Sequence, residues 1–252
     1  MRKAVRTVYR TYYRYLFGRN LPFGAAMGRK IAQWERHHGL GDTPVSKDVW
    51  ERQYQTGKWS YLQQLDELPR YSIITGYLQF LKPNPAILDV GCGEGLLFRR
   101  YRPYGYARYV GVDLSAAAQQ LLAAEQDERT MFVCADANSY EPRERFDAII
   151  FNESLYYLDS PLAVIDRCMN SLNDQGMIIV STFEGSYRAC AILKELQERY
   201  TLFDETRIGH SSKGWICSVF MNGPATADER ARRIRSAAGP RLKGMSRPLS
   251  PI

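Results

Sequence analysis

The segment with the clearest chemical meaning is ILDVGCGEG, residues 87–95, in which three glycines alternate with other residues. Gly91, Gly93 and Gly95 permit positive φ angles and let a ligand approach the backbone closely. The spacing is GxGxG, so the GxGxxG fingerprint of dinucleotide sites fails by one residue. No GK[ST] follows the glycines, which excludes a P-loop. The segment therefore predicts a ligand-binding turn between a buried strand and a helix.

Polar side chains follow the next three predicted strands. The segment YVGVDLS brings Asp113 to a strand end, where its carboxylate can accept hydrogen bonds from both hydroxyls of a ribose. Asp136 follows the next strand, and its side chain can accept a hydrogen bond from an adenine amino group. The segment FDAIIFN then delivers Asn152 and Glu153 to the same rim. Open α/β sheets bind ligands at the carboxyl ends of their strands, so these residues predict a nucleoside site.

Each acid also has a purely structural interpretation. Asp113 can belong to the N-cap region of the following helix, although Ser115 already fills the capping position. Asp136 can be a turn residue, and Asp89 can stabilise the glycine turn. The nucleoside interpretation is preferred because all of these acids fall at the right strand ends together.

Short apolar strands alternate with helices from residue 68 onward, a pattern typical of a parallel sheet covered on both faces. Strands are predicted at 86–90, 109–113, 131–135, 146–151 and 177–181, and helices at 71–81, 94–102, 115–126, 161–172 and 186–199. Leu202–Ile208 and Trp215–Met221 are joined by the polar loop GHSSKG and predict a hairpin. The last strand should therefore run antiparallel to its neighbour.

These segments resemble class I S-adenosylmethionine-dependent methyltransferases, particularly small single-domain enzymes that act on metabolites. The resemblance rests on ILDVGCGEG, VGVDLS and FDAIIFNESLYYL at the expected intervals, and it covers roughly residues 49–221. It implies an α/β, Rossmann-like fold with helices on both faces of a seven-stranded sheet. The implied strand order is 3-2-1-4-5-7-6 with strand 7 antiparallel, which agrees with the hairpin.

The resemblance also implies S-adenosylmethionine as cofactor and assigns its site residue by residue. Asp89 to Gly95 would cradle the amino-acid part, Asp113 the ribose and Asp136 the adenine. The backbone carbonyl of Asn152 would accept from the cofactor's ammonium. The implied set of cofactor-binding residues is Arg70, Asp89, Gly91, Cys92, Gly93, Gly95, Asp113, Leu114, Asp136, Ala137 and Asn152, with Arg70 and Tyr71 directed at the carboxylate.

Methyl transfer needs a general base only when the acceptor is an alcohol, a phenol or a protonated amine. We predict Glu153, Tyr157 and His210 as catalytic candidates, and Tyr156 and Glu184 as further ones. Glu153 is preferred among them. The alternatives are a solvated loop histidine at 210 and aromatic packing at 156–157.

The segment VWERQYQTGKWSYLQQLDELPRY resembles the lid that precedes the core in many of these enzymes. Four of its aromatic side chains are those of Trp50, Tyr54, Trp59 and Tyr61. They either cover the cofactor and line the acceptor pocket, or they pack the lid against the sheet. Asp48 is predicted to cap a short helix that begins at Val49.

The acceptor is best predicted as a small molecule, a sugar or a lipid-linked compound, methylated on oxygen or nitrogen. Asn152 is followed by Glu-Ser-Leu rather than by a PP[YFW] sequence, and no Pro-Cys pair supplies a nucleophile for cytosine. Both facts argue against methylation of nucleic acid, and the short loops leave little room to recognise a protein. Two alternatives stay open, namely a nucleic-acid methyltransferase and a non-catalytic binding subunit.

The net charge of +7 is concentrated at the two ends of the chain. Residues 1–45 hold nine Lys or Arg and two Asp or Glu, and residues 223–252 hold seven and two. We predict a basic helical extension at 1–48, the methyltransferase domain at 49–221 and a basic, mobile tail at 222–252. Arginines recur every four residues in the stretch 2–17, so this helix either contacts an anionic membrane or presents a solvated basic face.

The cysteine, histidine and hydropathy patterns indicate the cellular compartment in which the protein is expected. The five cysteines lie far apart without a CxxC pair, and only three histidines occur, so neither disulfides nor a metal site is predicted. No apolar run is long enough for a spanning helix, and a secretory signal is not indicated. A cytoplasmic protein is predicted, peripheral at the inner membrane surface if residues 2–17 bind lipid. A mitochondrial presequence is the alternative for the acid-free N-terminus, and the oligomeric state is not predicted.

Overall fold

The computed structural model describes residues 46–210 and 213–221. The predicted tail at 222–252 and all of the predicted basic helical extension except residues 46–48 lie outside the described residues. Everything below concerns the described part of the chain.

Seven strands form one sheet in the order β3-β2-β1-β4-β5-β7-β6. Their bounds are β1 Ala86–Val90, β2 Arg108–Asp113, β3 Thr130–Cys134, β4 Phe146–Asn152, β5 Leu172–Phe183, β6 Thr201–His210 and β7 Lys213–Met221. Strands β1 to β5 pair in parallel, whereas β7 runs antiparallel to both β5 and β6. The predicted fold class, strand order and antiparallel seventh strand are confirmed.

Six α-helices accompany these strands in the described part. They are α1 Lys47–Gln55, α2 Leu68–Leu81, α3 Leu96–Tyr101, α4 Ala116–Gln120, α5 Pro161–Asn170 and α6 Tyr187–Arg199. The hydroxyl oxygen of Ser115 accepts a hydrogen bond from the amide of Ala118 at 3.2 Å and so caps α4, as predicted. Helix α4 is nevertheless short, because the chain turns at Leu121 and continues as a 3₁₀ turn over Ala123–Glu125.

The predicted cap of the first described helix is wrong. Helix α1 begins at Lys47 with Ser46 as the N-cap residue, so Asp48 lies inside the first helical turn. A carboxylate there still interacts favourably with the positive end of the helix dipole. The prediction failed because Ser46 and Asp48 are both good capping residues separated by only one position.

Strand β5 is longer than predicted, since it begins at Leu172 instead of Met177. The sequence NDQG, residues 173–176, favours a turn, and Gln175 indeed has a φ angle of 59°. Leu172 still pairs with Phe146, and the pairing resumes at Met177 after a shift in register. The side-chain amide of Asn173 donates to the carboxylate of Asp147 at 3.0 Å and holds the irregular segment on β4.

The sheet separates two apolar clusters, one on each face. Helices α2 and α3 cover one face with Ile74, Leu78 and Phe98, all of which have no solvent exposure. Helices α5 and α6 cover the other with side chains such as Val164 and Ile192. Because both faces are covered, the central parallel strands are almost entirely apolar, as the sequence pattern predicted. The carboxyl ends of the parallel strands are then the edge at which polar side chains gather.

Candidate active site

The glycine turn after β1 requires glycine for two separate reasons. Gly91 and Gly93 have φ angles of 80° and 54°, which side-chain-bearing residues rarely adopt. A Cβ atom on Gly93 would also lie 2.8 Å from the hydroxyl oxygen of Tyr54, and one on Gly91 would collide with Ser154. Gly91 and Gly93 also line the cavity, so their ligand-binding role stays a prediction that the geometry permits.

Asp113 at the end of β2 is fixed by two backbone amides. Its Oδ2 accepts a hydrogen bond from the amide of Gly93 at 2.9 Å, and its Oδ1 accepts from the amide of Ser115 at 2.9 Å. Burial raises the pKa of this carboxyl, and both amide hydrogen bonds oppose that shift. Both oxygens keep further acceptor capacity. The side chain thus joins the glycine turn to α4 and still faces the cavity.

Asp89 carries an unsatisfied buried oxygen at the centre of the site. Its side chain is 1% exposed, and Oδ2 accepts a hydrogen bond from the hydroxyl of Tyr109 at 2.6 Å. Oδ1 has no hydrogen-bond partner in the described part of the chain. Burial raises the pKa of Asp89 to about 7; the Tyr109 hydrogen bond lowers it, and the charge of Asp113 raises it further. Such an oxygen, lining a cavity, suits the hydrogen-bond donor of a ligand.

Arg70 and Asn152 contact each other at the cavity wall. The Arg70 guanidinium is 2% exposed and donates to the side-chain oxygen of Asn152 at 2.6 Å. It also forms an ion pair with Glu67 at 3.1 Å, which lies three residues earlier and was not predicted as a site residue. The adjacent Tyr71 hydroxyl accepts from Arg70 at 3.2 Å. Arg70, Asn152 and Glu67 all line the cavity.

The remaining predicted cofactor residues also surround the cavity. Asp136 is exposed at the end of β3, where its Oδ1 accepts from the backbone amide of Asn138 at 2.8 Å. This is the turn geometry that the structural interpretation of Asp136 expected, yet the residue lies on the cavity wall. The other predicted residues on that wall are Cys92, Leu114 and Ala137. Gly95 does not line it and instead begins α3 with a φ angle of 73°.

Glu153 is the most constrained of the catalytic candidates. Its backbone has a φ angle of 60°, an uncommon conformation for a residue other than glycine. The hydroxyl of Ser181 donates to Oε1 at 2.6 Å, and the hydroxyl of Tyr156 donates to Oε2 at 2.8 Å. Burial raises its pKa, and the positive charge of Arg70 opposes the shift. The carboxyl group is thus held at the cavity wall in a single orientation.

The other catalytic candidates are placed differently. Tyr157 lines the cavity and packs edge-on against Trp50 with ring centroids 5.0 Å apart. Glu184 is exposed, forms an ion pair with Arg207 at 2.9 Å and is not among the cavity-lining residues that the structure describes. His210 ends strand β6 opposite Lys213, and its side chain lies outside the described part. The structure therefore brings Glu153, Tyr156 and Tyr157 together and separates Glu184 from them.

The predicted lid contributes aromatic rings to the cavity wall. Trp50 stacks on Trp59 with ring centroids 5.4 Å apart, and Tyr54 and Tyr61 complete the group. All four side chains line the cavity, whereas no residue of α1 is fully buried. The Nε1 of Trp59 is inaccessible to solvent and has no hydrogen-bond partner in the part of the chain described. These rings therefore wall the cavity instead of packing the lid into the core.

A carboxylate fixes this lid to the core in a way that the sequence did not indicate. Glu51 on α1 accepts hydrogen bonds from the amides of Ala116 and Ala117 at 2.6 and 3.0 Å, and from the Ser115 hydroxyl at 3.0 Å. Glu51 thus accepts hydrogen bonds from amides at the start of α4 that have no carbonyl partner within the helix. More than sixty residues of sequence separate Glu51 from these amides. No local spacing links these positions, so only the fold reveals the contact.

One cavity of about 880 Å³ is lined by the glycine turn, the acids Asp89, Asp113 and Asp136, Arg70, Glu153 and the lid rings. It extends from Asp136 at the end of β3 to Phe183 and Trp215, which lie on β5 and β7. Five strand spacings of roughly 4.8 Å separate β3 from β7, so the site is about 24 Å long. A cavity of this size and length accommodates two small ligands end to end. The described residues contain no group of three His, Cys, Asp or Glu side chains arranged to bind a metal ion.

Comparison with known proteins identifies one domain family. A family model described as a methyltransferase domain matches residues 61–223. A ubiquinone biosynthesis O-methyltransferase of Bradyrhizobium sp. strain ORS 278 is 34% identical over 109 residues, which are 42% of this chain and 43% of that protein. The chain therefore matches less than half the length of this curated relative.

Two solved structures have a similar fold. The N-methyltransferase NodS from Bradyrhizobium japonicum WM9, in complex with S-adenosyl-L-homocysteine, gives a TM-score of 0.58 at 19% identity and covers 66% of this chain and 92% of its own. A 1,6-didemethyltoxoflavin-N1-methyltransferase from Burkholderia thailandensis gives 0.55 at 17% identity, with coverage of 71% and 87%. At such identities the likeness establishes the fold alone.

Proposed function

Because the chain belongs to the methyltransferase-domain family, whose model matches residues 61–223, we propose that it is an S-adenosylmethionine-dependent methyltransferase. Its acceptor is a small molecule, free or attached to a sugar or lipid, and the methylated atom is an oxygen or a nitrogen. The observation that carries this proposal is the cavity bounded by the glycine turn and by Asp89, Asp113 and Asp136.

The residues present fit this cofactor. Asp113, with spare acceptor capacity on both oxygens, would hold the ribose hydroxyls, and Asp136 would hold the adenine. The Oδ1 of Asp89, which has no partner among the described residues, would accept from the ammonium, together with the backbone carbonyl of Asn152. Arg70 would bind the carboxylate, because its buried guanidinium keeps N–H groups beyond those bonded to Glu67, Asn152 and Tyr71.

S-adenosylmethionine supplies a methyl group on a positively charged sulfur, from which an acceptor heteroatom displaces a neutral thioether. The chain's main task is therefore to align the acceptor and exclude water, so that orientation provides most of the rate enhancement. The lid ring of Tyr54 contributes by covering the glycine turn, where its hydroxyl lies close to Gly93. Glu153 accepts the acceptor's proton when the acceptor is an alcohol, a phenol or a protonated amine.

Transfer of a labelled methyl group tests the activity. Purified protein incubated with S-adenosylmethionine labelled in its methyl group, and with pools of phenols, alcohols and amines, should yield labelled product. Glu153→Gln should reduce the yield from hydroxyl acceptors by about 10²-fold or more, the usual contribution of a general base. Glu184→Gln, outside the cavity wall, should leave it unchanged. Cofactor binding without any labelled product would contradict the proposal and favour a non-catalytic binding subunit.

A further inference from the structure

The two ends of the cavity differ in chemistry. The end over β1 to β3 carries the acids Asp89, Asp113 and Asp136. The opposite end, over β4, β5 and β7, is walled by five aromatic side chains, which we call the aromatic end: Trp59, Tyr61, Tyr157, Phe183 and Trp215. The acids match the nucleoside and amino-acid parts of the cofactor. The aromatic end is therefore the part of the cavity left for the acceptor.

The rings of the aromatic end come from separate elements of the fold. Phe183 and Trp215 face each other from β5 and β7 with ring centroids 6.4 Å apart. Trp59 and Tyr61, from the lid, lie 6.0 Å apart. Rings from both the sheet edge and the lid line the same cavity, so a flat apolar molecule bound there meets aromatic side chains from both elements. Aromatic side chains favour stacked or edge-on contact with another ring.

Electric charge at the aromatic end comes mainly from Glu153. Both of its oxygens accept hydrogen bonds from hydroxyl groups, those of Ser181 and Tyr156, which carry no charge. The nearby Arg70 is paired with Glu67 at 3.1 Å, so Arg70, Glu67 and Glu153 together carry one net negative charge. Lys47, the other lysine or arginine among the cavity-lining residues described, lies on α1 near Glu51. A negatively charged acceptor would therefore meet a like charge in a partly desolvated site.

We infer that the acceptor is a planar aromatic molecule without negative charge, either neutral or cationic, which presents a hydroxyl or amino group to Glu153. This inference rests on the proposed function, because it identifies the acceptor end of the same cavity. Glu153 then has a second role, as the residue that determines specificity by excluding carboxylates and phosphates. The aromatic rings supply the affinity for the planar part of the acceptor, and a cationic acceptor gains further from their faces.

Three phenols that differ only in one terminal group test the inference. 4-Ethylphenol is neutral, tyramine ends in an ammonium, and 3-(4-hydroxyphenyl)propanoate ends in a carboxylate. Binding of each is measured by calorimetry on full-length protein saturated with S-adenosylhomocysteine, so that no turnover is required. The carboxylate should bind about tenfold more weakly than the neutral phenol, and the ammonium at least as tightly, as expected for one nearby charge at an effective dielectric constant near 20.

Two substitutions identify the residue responsible. Glu153→Gln keeps the size of the side chain and removes its charge, so the tenfold difference should shrink to about twofold or less. Glu184→Gln removes an exposed acid that is paired with Arg207, and it should preserve the difference. Equal or tighter binding of the carboxylate, binding of none of the three phenols, or an unchanged difference in Glu153→Gln would overturn the inference. Failure of S-adenosylhomocysteine itself to bind would instead refute the proposed function.

Discussion

Asp89 is a single residue whose ionisation should be linked to cofactor binding. Its pKa is raised to about 7, mainly by burial, and its Oδ1 has no partner in the described part of the chain. If that oxygen accepts from the cofactor's ammonium, binding requires the ionised carboxylate. The ionised fraction grows about tenfold between pH 6 and pH 8 for a group with this pKa, so affinity for the cofactor should rise by about the same factor.

Calorimetric titrations at several pH values check this prediction, with two variants as references. Asp89→Asn cannot ionise, so its weaker binding should be independent of pH in this range. Tyr109→Phe removes the hydrogen bond that lowers the pKa, and it should move the rise in affinity to higher pH. An affinity that is flat or falls as the pH rises in the unmodified protein would show that Asp89 does not face the ammonium.

Individual site residues were predictable from the sequence where they follow a strand directly. Asp113 and Asn152 end apolar runs, and the alternation of strands and helices places such positions at one edge of the sheet. Glu51 was missed because its partners are distant in the sequence and only tertiary structure brings them near. Glu67 was missed because its spacing of three residues from Arg70 does not reveal that the arginine is buried. Glu51 binds the amides of residues 116 and 117, and Glu67 neutralises a buried arginine. No periodicity or motif in the sequence signals the Glu51 contact or the burial of Arg70.

At the scale of elements, the lid helix α1 is attached to the start of α4 through the carboxylate of Glu51. Glu51→Ala should free the lid from the start of α4, because it removes a cap of about 1 kcal/mol. We expect roughly fivefold weaker cofactor binding and faster hydrogen exchange of the amides in residues 47–55. Gln55→Ala, at an exposed and uncharged position of the same helix, is the matched control and should behave like the unmodified protein. Unchanged exchange in Glu51→Ala would show that the aromatic contacts alone hold the lid.

The bounds of strands and helices were predicted most reliably where the apolar pattern of the sequence was strongest. Strand β1 has the predicted bounds, because every residue after Ala86 is buried. Predictions failed at polar irregularities, where the sequence favours a local turn and tertiary pairing overrides it. Residues 173–176 illustrate this, since they were predicted to precede β5 and instead form an irregular segment within it, between Leu172 and Met177, which both pair with β4. Tertiary contacts outweigh local preference in such segments.

At the scale of the whole molecule, the basic termini raise the question of a membrane partner. No helix in the described residues is long and apolar enough to span a bilayer. Contact of residues 2–17 with anionic lipid stays a prediction, based on arginines at positions 2, 6, 10 and 14. In sedimentation with liposomes rich in phosphatidylserine, the full chain should partition more strongly than a chain lacking residues 1–20. Equal partitioning of the two would contradict membrane contact through this segment.

For the whole molecule, the central claim is that the cavity at the carboxyl ends of the strands binds a sulfonium nucleoside. Calorimetric titration of the full chain with S-adenosylmethionine and S-adenosylhomocysteine tests it most directly. We predict saturable binding of both compounds. Asp113→Asn should weaken their binding about 10- to 100-fold, because charged hydrogen bonds are lost. Asp174→Asn, at an exposed position in the irregular segment of β5, should leave the affinity unchanged. Absence of binding at millimolar ligand, or equal affinity in Asp113→Asn and the unmodified protein, would contradict the account.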